Sequence, residues 1–124
     1  MTTAYTVEYL DTAAGRNVIV VKWAGIPLGS SGVPWCSAEY SDKTVHILGV
    51  FNGTTVTIEG SNQPVPTDYV SLVDPQGNTI SKAATGIEAI LESPLWIKPV
   101  TTVGGALTAI IVIIVARRIR NSLG

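Results

Sequence analysis

The stretch GGALTAIIVIIVARRIR, residues 104–120, admits two opposite readings: a membrane span stopped by a basic cluster, or a strand buried on both faces. Residues 99–116 carry no charge and Arg117, Arg118 and Arg120 follow, which just meets the length and flank of a span with its basic end cytoplasmic. Its first part, PVTTVGG, holds a proline, two threonines and a glycine pair, so the strongly apolar run is only 106–116. As a helix that run covers about 16 Å, roughly half the hydrocarbon thickness. Seven of its eleven residues are β-branched, which favours an extended chain. The strand reading prevails.

As a strand, Thr108, Ile110, Val112, Ile114 and Ala116 point one way, and Ala109, Ile111, Ile113, Val115 and Arg117 point the other. Both sides are apolar until the arginines. A sandwich strand needs one apolar face, so the second has to be covered by a neighbouring element or by a partner.

Composition points the same way. A chain of 124 residues is one domain long and can bury its own core. Charged residues make up 14% against 46% hydrophobic, and an ordinary soluble domain has roughly 25% charged. Much of the surface is therefore expected to be hidden against something else. The net charge of −1 gives no general case for nucleic-acid binding. Its distribution is uneven: residues 1–94 hold four basic and nine acidic side chains, whereas 95–124 hold Lys98, Arg117, Arg118 and Arg120 and no acid. A positive end on an acidic body suits head-to-tail contact with a like copy, or docking on an acidic surface.

Cys36 is the single cysteine, which excludes an intrachain disulfide and multi-cysteine zinc sites. Beside Trp35 it reads as a small buried hydrophobe. The opening MTTAYTVEYLDTAAG has neither the basic start nor the apolar run of a secretory signal, which fits a protein made in a cytoplasm.

Turn signals cut the first ninety residues into short strands. NVIVVKWAGI (17–26) is β-branched and ends at the Pro/Gly/Ser-rich PLGSSGVPW. KTVHILGVF (43–51), Asn52-Gly53 and TTVTIEGS (54–61) predict a hairpin, because Asn-Gly tolerates positive φ at both central positions. DPQGN (74–78) predicts a type I turn closing into a glycine bulge. GIEAILE (86–92) fits either a strand or one to two helical turns, and PLWIKPV (94–100) is extended because its prolines forbid a helix interior. About eight strands with no convincing helix predict an all-β, antiparallel β-sandwich of the jelly-roll type. Residues 1–16 form an arm or edge strand, 17–118 the sandwich and 119–124 a basic tail.

Chemistry has little to work with. His46 is the only histidine, placed by alternation with Thr44, Leu48 and Val50, and it has no triad partners nearby in sequence. No phosphate-loop, dinucleotide, zinc-protease or EF-hand pattern occurs. Glu88 and Glu92 read as solvated carboxylates. No catalytic residue, metal or cofactor is expected. Ser61, Asn62 and Gln63, with Trp23, Trp35 and Trp96 as stacking platforms, would suit a sugar, although tryptophans in a chain with one phenylalanine more often anchor the core.

Taken in order, VFNGTTVTIEGSNQP, DYVSLVDPQGNTISKAATGIEAILESPLWIKPVTT and ALTAIIVIIVARR resemble a group of small virion proteins of tailed bacteriophages, over roughly residues 20–118. The shared pattern is a hairpin ending in "v.ieGS", an "L.d.qGn" turn, an "ie.i.e.p.yirP" segment and a β-branched last strand closed by basic residues. Trp96 and Lys98 stand where that pattern has an aromatic and an arginine, and the 27–42 loop matches none of it. The resemblance implies a capsid decoration (cement) protein with a jelly-roll fold. It would sit on the outer capsid surface as a homo-oligomer, dimer or trimer, and bridge neighbouring subunits of the major capsid protein. It carries over no catalytic residues, and with the net charge and the strand reading above, no enzyme activity, nucleic acid or membrane is expected. The expected contacts are Arg117, Arg118, Arg120 and Lys98 through charge, and the 27–36 loop with Trp35 through shape. A tail or fibre accessory protein and a carbohydrate-binding module are the rival expectations.

Overall fold

A computed structural model describes residues 2–12 and 15–118, and among them the chain forms twelve strands and no helix. In chain order these are β1 (Thr2–Thr3), β2 (Tyr5–Thr12), β3 (Gly15–Ile26), β4 (Ser31–Gly32), β5 (Trp35–Cys36) and β6 (Tyr40–Val50). β7 (Val56–Ser61), β8 (Val70–Ser71), β9 (Ser81–Lys82), β10 (Gly86–Ile90), β11 (Trp96–Thr101) and β12 (Ala109–Arg118) complete the set.

The decisive stretch is the central strand of a five-stranded antiparallel sheet, ordered β10-β6-β12-β3-β2. Long β-branched runs fill its middle, so each central strand has a ladder on both edges. The second sheet runs β1-β4-β11-β7-β8, with β5 also on β11 and β9 also on β7. Its pairs are antiparallel except β1 with β4. The two sheets share one core. Ile19, Val21, Trp23, Val45, Ile47, Ile110, Val112 and Ile114 of the first meet Val56, Ile58 and Ile97 of the second. The fold is all-β and sandwich-like, and neither sheet closes on itself.

Alternation along β12 is as expected. Ile110, Val112, Ile114 and Ala116 are fully buried, while Ile111, Ile113 and Val115 turn outward. No helix among the described residues is long and apolar enough to cross a membrane.

The Asn52-Gly53 hairpin is corrected. The turn exists, with φ of 46° and 88° at its two residues. Gly105 N–H donates to the Asn52 carbonyl at 2.7 Å and Thr54 N–H to that of Phe51 at 2.9 Å. Yet β6 and β7 lie in different sheets, so the turn is an arch over the sandwich rather than a hairpin. β12 and β10 occupy both edges of β6, leaving no ladder for β7, which pairs with β11 instead.

DPQGN does form its turn. Gly77 N–H donates to the Asp74 carbonyl at 2.9 Å, and Asp74 Oδ1 accepts from the N–H groups of Gln76 and Asn78 at 3.0 Å. GIEAILE resolves into a strand, β10, and PLWIKPV is extended as β11. The 27–36 loop contributes β4 and β5 to the edge of β11. Its prolines, Pro27 and Pro34, stand outside both short strands, so no ladder needs their missing N–H.

Candidate functional site

Cross-strand register defines the outward face of the five-stranded sheet row by row. One row runs Ile87, His46, Ile113, Lys22, Thr6, and the next runs Ala89, Thr44, Val115, Val20, Glu8. Above them lies Leu48, Ile111, Ala24, and below them Asp42, Arg117, Val18, Leu10. Ile111, Ile113, Val115, Val20, Val18 and Leu48 are half-buried, and Ile87 is 63% exposed. No other described strand lies over this face, since the second sheet packs on the opposite side. Single exposed apolar residues are ordinary, but a contiguous apolar sheet face marks an interaction surface. The surplus apolar side of β12 is therefore not covered from within the described residues.

At the basic end of β12 the arginines are not free cations. Arg117 lies 3.6 Å from Asp42 and Arg118 lies 3.9 Å from Glu39, all four well exposed. Arg118 also stacks over the Tyr40 ring at 5.9 Å. A hydrogen bond to Tyr40, reinforced by Glu39, holds its guanidinium pKa above the usual arginine value. This end is a zwitterionic patch. Arg120 lies outside the described residues.

Lys98 stands on the outward face of the second sheet, across the register from Glu59, with its ammonium 4.0 Å above the centre of the Tyr69 ring. Burial, and then the charge of Glu59, push the Tyr69 phenol above its ordinary pKa. Trp96 is half-buried on β11 nearby, and its indole N–H donates to the Gln63 carbonyl at 3.1 Å. Lys98, Tyr69 and Trp96 thus form an aromatic and cationic surface on the side of the molecule opposite the apolar one.

Trp35 is 4% exposed and packs its ring on Tyr40, 5.5 Å between centroids, so it is a core residue and offers no surface to a partner. Alternation along β5 then turns Cys36 outward, against the expectation that it would be buried. Trp23 is also fully buried, which leaves only Trp96 near the surface and removes two of the three stacking platforms a sugar site would use.

A shallow depression of about 210 Å³ does open beside Ser61, Asn62, Glu92 and Ser93, lined also by Val70, Leu72 and Pro94. Its polar groups are already engaged: Asn62 Oδ1 accepts from Leu95 N–H, and Glu92 accepts from Val73 N–H, both at 2.9 Å. Glu88 pairs with Lys82. His46 sits on the apolar face between Ile87 and Ile113. Among the described residues, no group of three His, Cys, Asp or Glu gathers in a metal-binding arrangement.

Sequence reasoning missed Lys43. It lies on the inner face of β6 between Ala116 and Ile90, 1% exposed. Its ammonium donates to the Tyr40 carbonyl at 3.0 Å and to Ser93 Oγ at 3.2 Å. Desolvation lowers its pKa, opposed by the charge of Asp42. The signal was its parity with Val45 and Ile47. No protein-family model and no curated protein matches the chain.

Proposed function

We propose that the chain is a capsid decoration, or cement, protein of a tailed bacteriophage, its two-sheet fold an open variant of the jelly roll. The observation that carries the reading is a pair of outward surfaces on opposite sides: the bare apolar face around Ile111, Ile113 and Val115, and the Lys98–Tyr69–Trp96 surface. A homo-oligomeric bridging protein needs one surface for its own copies and a separate one for the shell, and this arrangement supplies both. The resemblance of residues 20–118 to small virion proteins supports it, because its quoted segments make up β7 through β12 and the turns between them.

The mechanism is area and repetition. Each copy buries about 1,000–2,000 Å² across a joint between capsomers. Engagement at two points raises avidity well beyond either contact alone. Lys98, Arg117 and Arg118 meet acidic surface on the major capsid protein, exchanging their weak internal pairs for it. The protein is made in the host cytoplasm and resides on the outer surface of the virion.

Titration of cognate capsids with the purified chain, read by co-sedimentation, tests the reading. Saturation at on the order of hundreds of copies per particle is expected for a lattice of repeated sites. A plateau at a few to dozens of copies would assign the chain to a tail or fibre instead, and absence of binding would overturn the virion reading. Lys98→Ala with Arg117→Ala and Arg118→Ala should weaken occupancy more at low salt than at high salt. Equal occupancy at every salt concentration would remove these cations from the contact.

A further inference from the structure

We infer that the apolar face of the five-stranded sheet is a self-association surface, joining two copies face to face about a two-fold axis that crosses β12 between Ile113 and Val115. The inference concerns the chain alone and does not depend on the capsid reading.

Size comes first. Strands stand about 4.8 Å apart and same-face residues about 6.8 Å apart along a strand. Five strands and four rows therefore span roughly 24 by 20–27 Å, about 500–650 Å² per copy. Two copies bury about 1,000–1,300 Å², at the lower edge of what a stable, specific interface needs. The face is large enough for a reversible dimer.

Charge selects the second copy as the occupant and fixes the axis. Lys22 and Glu8 are the two charged side chains within the two central rows, in adjacent rows on adjacent strands, and no ion pair between them occurs among the described residues. An axis lying across the strands, between the rows, inverts row order and keeps strand order. Lys22 of one copy then lies over Val20 of the other and next to its Glu8, and the symmetry repeats the pair. The same operation sets Ile113 over Val115 and Ile87 over Ala89, large residues over smaller ones, and at the rim it sets Ile111 and Leu48 over Arg117 and Asp42, which stay paired with each other. An axis along β12 would instead set Lys22 over His46 and Glu8 over Ala89, leaving both charges without partners. Aligned sheets pack about 10 Å apart, within reach of a lysine and a glutamate extended toward each other.

Sedimentation velocity of the full chain, over the micromolar range, is the experiment. A monomer–dimer equilibrium is expected. Ile113→Lys points outward, leaves the core intact and sets two ammonium groups near the axis, so it should weaken dimerisation by about 100-fold. Lys22→Glu alone should weaken it about tenfold by facing Glu8 of the second copy, and Lys22→Glu with Glu8→Lys should restore it. Circular dichroism of each variant confirms folding. A wild-type chain that stays monomeric would overturn the proposal, as would an unaltered dimer in Ile113→Lys. A double exchange that fails to recover would overturn the axis. If the chain alone is monomeric yet Ile113→Lys abolishes capsid binding, the face belongs to the capsid and not to a second copy.

Discussion

The indole N–H of Trp23, on the inner face of β3, donates to the carbonyl oxygen of Val33 at 2.9 Å, between the two short strands β4 and β5. One fully buried side chain thereby ties the five-stranded sheet to the edge of the other, and Tyr5 from β2 packs on the same ring at 5.6 Å. Replacing Trp23 with phenylalanine removes the hydrogen bond and opens a cavity between sheets. The expected loss is about 2–3 kcal/mol of unfolding free energy, read by urea denaturation.

Gly32 lies against the same ring. A Cβ added there would collide with Trp23 Cδ1 and would stand 2.8 Å from Pro99 Cδ. Both neighbours are fixed in the core, so neither can yield cheaply. Gly32→Ala is expected to cost about 1–3 kcal/mol through overpacking, with near-ultraviolet circular dichroism reporting the displaced indole. A fully stable Gly32→Ala would show that β4 is free to lift.

Lys43 sets a pH dependence. Its pKa in the folded chain lies below the unfolded value near 10.5, because burial disfavours the ammonium. Below the folded value both states carry the proton. As pH rises from there toward 10.5, the unfolded chain retains the proton more than the folded chain does, so this residue's contribution to stability rises. Lys43→Met keeps the stem and drops the charge. It should be neutral or stabilising by up to about 2 kcal/mol at neutral pH. The advantage over wild type should shrink as pH rises toward 10.5. Urea unfolding of both proteins across that range checks it, and a difference independent of pH would contradict the buried ammonium.

Asp74 holds the 74–78 turn through two bonds to one oxygen. Asp74→Ala should cost about 1–2 kcal/mol, and Asp74→Asn, which retains a carbonyl acceptor, should recover most of it.

Period-two arithmetic made β12 legible, because Ile110, Val112 and Ile114 had to share a face whatever covered it. The same arithmetic showed a second apolar side at Ile111, Ile113 and Val115. Parity also explains one misreading and one omission. Trp35 and Cys36 are adjacent, so only one can face inward, and the larger apolar area of tryptophan takes that place. Lys43, on which the sequence reading placed no expectation, follows the parity of Val45 into the core. The arch at Asn52-Gly53 was not legible, since a tight turn reverses the chain identically within a sheet or between sheets. Which of these occurs depends on who occupies the edges of β6, and those partners, β10 and β12, come more than thirty residues later. The pairing of Arg117 with Asp42 is likewise a product of the β12–β6 register.

Electron cryomicroscopy of cognate capsids saturated with the chain tests the central claim most directly. The account predicts regular density over the joints between capsid subunits, with the Lys98 and Tyr69 side or the Arg117 and Arg118 end against the shell and the Ile113 face covered by protein. Bare joints, or decorated ones in which Ile111, Ile113 and Val115 face solvent, would contradict it.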